Sequence, residues 1–254
     1  MPSIAAVVTV IVAGRRLLAP RLAFLLALAG LLSACATAQQ PDPLEAMNRK
    51  TFAFNETLDV AVLKPVATTY KKVVPEPVRT GVTNFFLNLN DPWSGVNLML
   101  QGRLKDGVSD LARFATNTTV GLLGTRDVAT DWGMPRHGVN FGDTLGAWGV
   151  GGGAYVVLPL FGPSDLRGVA AFPVNSVASP QSAIADAGLS MTLMAVNLAD
   201  KRASLLEFTQ LIDQVALDKY LFMRDAYFQR RADRERGAVG AAPDAAADES
   251  PEKL

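Results

Sequence analysis

From Asp42 onward, apolar positions recur at the three- and four-residue intervals of α-helices, punctuated by Asn, Gly and Pro. Asp42-Pro43-Leu44-Glu45 reads as a helix start: aspartate as cap, proline at the first helical position, glutamate completing a capping box. Behind it Leu44, Met47, Phe54, Leu58 and Ala61 share the face that would meet a core, opposite Glu45, Arg49, Glu56 and Asp59. Phe52 lies off that stripe, as a membrane or partner contact or as one exposed aromatic among many. Lys64-Pro65 is expected to end this helix, and Pro75 and Pro77 to bracket the next turn. A second block over 78–89 is expected to restart at Asp91-Pro92, and a third spans 102–119 through Leu104, Val108, Leu111 and Ala115. Farther on, 188–199 is uncharged and methionine-rich, as an interfacial helix would be. Leu205, Phe208, Ile212 and Val215 form what reads as an ordinary core stripe.

The middle of the chain departs from this rhythm. No charge lies between Asp143 and Asp165, and the glycines and prolines there forbid a continuous helix. Irregular backbone is tolerated at membrane depth only where protein or a wet cavity surrounds it. The stretch is therefore either a compact apolar hairpin within the fold or a loop dipping into a lipid interface. Gly151, Gly152 and Gly153 are a candidate flexible loop, expected to use positive φ or close backbone approach. In a final helix Tyr220, Arg224, Tyr227 and Arg231 share one face. Arg224, Tyr227 and Arg231 could hold a lipid phosphate or an acidic partner, or form a stacked, solvated surface. Residues 237–254, rich in Ala, Asp, Glu and Pro, read as a disordered tail.

The N-terminus changes the picture. Arg15, Arg16 and Arg21 precede a short apolar run, Leu22 to Leu32, which ends in Leu32-Ser33-Ala34-Cys35. The run reads as an export signal, and its ending resembles the lipobox of bacterial lipoproteins, which implies cleavage before Cys35 and lipid attachment on it; the alternative is an ordinary secretory signal with an incidental cysteine. Cys35 is the single cysteine, so no internal disulfide competes for it. The organisation expected is a signal over 1–34, a lipidated linker over 35–41 and one helical domain over 42–236. The signal carries three arginines and no acid, so its loss takes 24 basic against 24 acidic residues to a net charge of −3. That balance argues against nucleic acid, whose phosphates need a basic face. The chain is unusually apolar, with a mean hydropathy of +0.20, yet nowhere holds a long uninterrupted apolar helix. A lipid-facing surface would account for both.

Catalytic chemistry finds little support. His137 is the only histidine, read as a solvated loop side chain. No Gly-x-Ser-x-Gly and no His/Cys/carboxylate grouping with metal-ligand spacing occurs, so no cofactor or metal is expected. The neutral amides are more suggestive. Asn84 and Asn88 share a helix face and, with Asn97, are candidate linings of a polar passage; singly, each could be a cap or turn residue.

Ordered motifs then converge on a resemblance. Asp42-Pro43-Leu44-Glu45, Asn48-Arg49 and Phe52-Ala53-Phe54-Asn55 are followed by Asn84-Phe85-Phe86, Leu100-Gln101-Gly102 and Arg113-Phe114. Then come Phe141-Gly142-Asp143-Thr144-Leu145, Leu158-Pro159, Gly162-Pro163-Ser164 and Ala226-Tyr227 with Gln229-Arg230. Nearly the whole chain to Arg236 resembles the MlaA (VacJ) lipoproteins. Departures stand at Asp143, Ala154 and Gly168 and in Asp218-Lys219-Tyr220, leaving local loop geometry and rim charge in question. The resemblance implies a mainly α, ring-like single domain in or at the inner leaflet of the outer membrane, anchored on its periplasmic face. It further implies association with a trimeric porin and a polar passage for phospholipid that has strayed into the outer leaflet. A periplasmic lipid carrier would receive that lipid. The rivals are an outer-membrane phospholipase and a passive structural or virulence-associated lipoprotein.

Overall fold

In the computed structural model, which describes residues 42–240, the first helical stretch runs without a break from Glu45 to Val73. Helix α1 (Glu45–Leu58) passes through a π-helical segment (Asp59–Leu63) into α2 (Lys64–Val73). Lys64-Pro65 therefore does not end the helix. The backbone N–H of Lys64 bonds to the carbonyl of Asp59, and this wider register leaves Pro65 in the first turn of α2, where a missing N–H costs least. Asp42 is not the cap residue: Leu44 holds that position, and Asp42, in the turn before it, accepts the Leu44 N–H at 3.2 Å. Glu45 turns to Arg49 at 2.7 Å instead of closing a capping box. The predicted signal, Cys35 and the linker lie outside the described residues.

Helix α3 (Glu76–Leu100) also runs through its expected break. Pro92 sits inside it, and Asp91 is buried toward two arginines instead of capping a new helix. A short turn leads to α4 (Leu104–Thr119), and the two helices cross at glycines. A Cβ on Gly107 would stand 2.8 Å from the Gly95 carbonyl oxygen, so only glycine allows this approach. Next come α5 (Val128–Asp131), capped by Asp127, and α6 (Phe141–Ala147), closed by an Asn140/Asp143 capping box. The rest of the uncharged stretch forms the antiparallel hairpin β1 (Tyr155–Leu158) and β2 (Gly162–Asp165), pairing Tyr155 with Asp165 and Leu158 with Gly162. Its strand residues Tyr155 and Val157 are buried against Tyr220, while Leu160 and Phe161 at the tip are exposed. The chain continues through α7 (Leu166–Ala178), a 3₁₀ turn (Pro180–Ala183), α8 (Ala187–Ser204), α9 (Leu206–Val215) and α10 (Lys219–Gly240). Helix α10 overruns the expected tail boundary by four residues, Gly237 to Gly240.

The helices are where periodicity put them; their faces are not. In α4 the apolar stripe points outward, with Leu104 64% and Val108 58% exposed, while Gly107, Asp110, Arg113 and Asn117 are buried. In α1 Met47 and Phe54 are exposed and Asn48 is buried, donating to the Tyr155 carbonyl at 2.9 Å. Phe52, expected to look outward, packs edge-on against Tyr220 at 5.7 Å between ring centres. Of the supposed core stripe, Ile212 is buried; Leu205, Phe208 and Val215 are exposed. Among the described residues thirteen polar or charged side chains are buried against twelve apolar or aromatic ones. The interior is held by hydrogen bonds as much as by apolar packing. No described helix is long and apolar enough to cross a membrane.

Candidate functional site

The polar interior is organised around Arg113, which is fully buried. Its guanidinium takes Asp127 in a two-pronged contact at 2.9 and 3.0 Å and also donates to Thr130 and to the Met134 carbonyl. Asn117 completes the knot, donating to Asp127 at 2.9 Å and accepting the Ala129 N–H. These contacts lower the Asp127 pKa to about 2, the Thr130 and Asn117 hydrogen bonds and the Arg113 charge outweighing burial. Asp91 behaves oppositely. Burial raises its pKa to about 6 although Arg136 and Arg113 stand 3.4 and 3.7 Å away, because its Oδ2 accepts no hydrogen bond among the described residues.

His137 belongs to this interior and is not a solvated loop residue: its Nδ1 lies 2.7 Å from Asp110, with Asp106 at 3.8 Å from Nε2. Asp110 also accepts the Ser94 hydroxyl at 2.6 Å, so a serine, an aspartate and a histidine do meet. Their order is wrong for a nucleophile. The serine donates to the aspartate, which separates it from the imidazole that would have to take its proton. The Ser94 oxygen is buried and already accepts the Val139 N–H.

The sequence-predicted residues are spread over several neighbourhoods. Asn88 is buried, donating to Thr118 at 3.0 Å and pressed against Gly124, whose φ is +84°. Asn97 is sealed between the Trp93 carbonyl at 2.8 Å and the Thr144 hydroxyl at 2.7 Å. Asn84 is half-buried and donates to the Thr125 carbonyl at 3.2 Å. Of the three glycines, Gly153 has φ +69°; a Cβ on Gly152 would strike the Arg231 guanidinium and Asp165; Gly151 is unconfined. Arg224, Tyr227 and Arg231 face their own chain. Arg231 pairs with Asp165 at 3.3 Å and Arg224 with Glu45 at 3.9 Å, while the Tyr227 ring packs tilted against Tyr155, 5.4 Å between ring centres. Burial pushes the Tyr227 hydroxyl pKa up. This face docks α10 on the hairpin.

Two separate concavities flank the N-terminal half of α3, one on each side, where it meets α8. One is polar, about 210 Å³, with Lys71, Glu76, Arg79, Thr83, Asp200 and Glu207 among its lining. The other is apolar, about 400 Å³, and draws on Val78, Val82, Phe85, Phe86, Leu193 and Val196, with Thr125 at its wall. Helical geometry explains the division: positions 76, 79, 80 and 83 lie on one side of α3, and 78, 82 and 85 on the other. Asp200 is the buried centre of the polar side. It accepts the Tyr70 hydroxyl at 3.0 Å and the Thr83 hydroxyl at 2.6 Å. Burial and that contact push the Tyr70 pKa to about 12, so the phenol stays a donor. Sequence reasoning missed these residues. Arg79 and Thr83 are four apart on a helix, but Asp200 lies 117 positions beyond Thr83, and no local spacing announces their meeting.

The profile of the MlaA lipoprotein family matches residues 40–234. A Shigella flexneri protein named intermembrane phospholipid transport system lipoprotein MlaA is 38% identical over 202 residues, 74% of this chain and 76% of its own. The Escherichia coli (strain K12) protein of the same name is 37% identical over the same coverage. A solved structure described as "Structural basis for maintenance of bacterial outer membrane lipid asymmetry" aligns with TM-score 0.67 at 37% identity, covering 76% of this chain and 98% of that one. With the profile spanning most of its length and these relatives matched over three quarters of it, the chain belongs to the MlaA lipoprotein family.

Proposed function

We propose that the protein is an outer-membrane lipoprotein that removes mislocalised phospholipid from the outer leaflet and hands it to a periplasmic carrier, so maintaining lipid asymmetry. It is tethered through Cys35 on the periplasmic face and works beside a trimeric porin. The observation that carries this reading is the reversed polarity of the fold. Apolar stripes of α1, α4, α8 and α9 look outward while charged and amide side chains fill the interior. In water such a surface is a liability; among acyl chains it is the stable arrangement, provided the interior satisfies its own hydrogen bonds. A polar interior in that setting also gives a head group somewhere to go. The path runs by Asn84 and the α3–α8 cleft, with Asn88 and Asn97 holding its walls. The work is passage, not bond breaking.

The test is reconstitution of the lipidated protein with its porin in donor vesicles and transfer of labelled phospholipid to a soluble carrier. Intact lipid recovered on the carrier is the expected result. Recovery of lysophospholipid and fatty acid would point to a phospholipase, and failure to transfer to a passive scaffold.

A further inference from the structure

The polar hollow between α3 and α8 holds charges that its own residues leave unmatched. Arg79 donates to the backbone carbonyls of Lys71 at 2.7 Å and Val74 at 3.3 Å, and forms no ion pair with a carboxylate among the described residues. Asp200 is 5% exposed and holds two neutral hydroxyl donors, with no cation paired to it among the described residues. Two donors leave lone pairs of a carboxylate free. Glu76, at the first turn of α3, likewise forms no described ion pair, and only Lys71 and Glu207, at 2.6 Å, neutralise one another. A buried carboxylate without a cation is costly to maintain, and a guanidinium held open beside it is a ready phosphate partner.

We propose that this hollow is a head-group site selecting zwitterionic phospholipids that carry a primary amine. The head-group phosphate lies on Arg79 and the ammonium on Asp200 and Glu76. The proposal rests on the reading of the protein as a phospholipid transporter. Two cations and three carboxylates line the hollow, an excess of one negative charge. An anionic lipid such as phosphatidylglycerol brings a phosphate and only neutral hydroxyl donors, no cation, for Asp200 and Glu76. Phosphatidylethanolamine satisfies both ends at once. A volume of about 210 Å³ is too small for a whole lipid but has room for a head group.

Donor vesicles holding equal labelled phosphatidylethanolamine and phosphatidylglycerol, with the full lipidated protein, its porin and the carrier, give the ratio of the two lipids transferred. The wild type should favour phosphatidylethanolamine by roughly fivefold to tenfold, the scale of one charge-assisted contact. Glu76→Gln, at an exposed position, should bring the ratio down severalfold while phosphatidylglycerol transfer continues. Asp200→Asn should do the same more strongly, and Arg79→Gln should slow both lipids. A wild-type ratio near one with both lipids moving overturns head-group selection and leaves transport standing. Transfer of neither lipid by the wild type overturns transport, and this site with it. A ratio unchanged in Glu76→Gln and in folded Asp200→Asn also overturns the assignment.

Discussion

Asp91 and Asp127 sit in one cluster with opposite titration behaviour, and that difference is a prediction about stability. The Asp127 pKa is depressed to about 2, so its contribution is present above the ordinary carboxylate range and is lost as pH falls toward 2. Asp91, raised from 3.8 to about 6, binds its proton more tightly in the folded state than in the unfolded chain. Its contribution is therefore full below pH 4 and declines as pH rises through 6, by about 3 kcal/mol. Thermal unfolding in detergent across pH 4–7.5 should show this decline, and Asp91→Asn, which cannot ionise, should flatten it. A wild-type midpoint that rises through pH 4–6, unaltered by the substitution, would contradict the assignment. Buried asparagines tell a parallel story. Asn48, Asn88, Asn97 and Asn117 each serve the frame through hydrogen bonds, and composition alone could not separate that duty from lining a passage.

At the level of elements, the sequence revealed more about where helices lie than about which way they face. Period 3.6 places α1, α4, α8 and α9 well, because amphipathicity divides a helix into two faces. Which face is buried depends on the surroundings, and the inward assignment of Leu104, Val108 and Phe208 assumed water. Continuity across Pro65 and Pro92 was hidden too, since local rules cannot see the π-helical register or the arginines that draw Asp91 inward. Changing Leu104, Val108 and Leu111 together to Gln should leave the detergent-solubilised fold nearly as stable, while weakening vesicle partitioning by about 3 kcal/mol, roughly a hundredfold. Ile212→Ala, at a buried position, should instead cost about 2–5 kcal/mol of folding stability. The same thermal measurement separates the glycines of the loop before β1. Gly152→Val should cost about 1–3 kcal/mol by displacing Arg231 from Asp165, whereas Gly151→Ala should change stability by less than about 0.5 kcal/mol. Equal costs at both positions would mean that the loop senses flexibility and not that one close approach.

Across the whole molecule, the proposed anchor at Cys35 and the outward apolar faces would be two separate sources of membrane affinity. The lack of any described spanning helix, taken alone, implies that Cys35→Ser would release the protein from the membrane. The folded surface implies otherwise. Leu122, Leu123, Leu160 and Phe161 stand exposed at turns, and Met191, Met194, Phe208 and Val215 along helices. Burying even a few such side chains at about 1.5–3 kcal/mol each exceeds what a single acyl chain supplies for stable anchoring. Cys35→Ser, exported by an ordinary secretory signal and refolded with vesicles, should therefore stay bound. Because that binding is apolar, it should survive a high-salt wash and yield to detergent. Flotation with porin-free vesicles isolates the contribution of lipid. If the unlipidated protein failed to float yet still bound purified porin, the outward faces would be a protein interface. The reversed polarity of the fold would then reflect a partner's surface in place of the acyl layer.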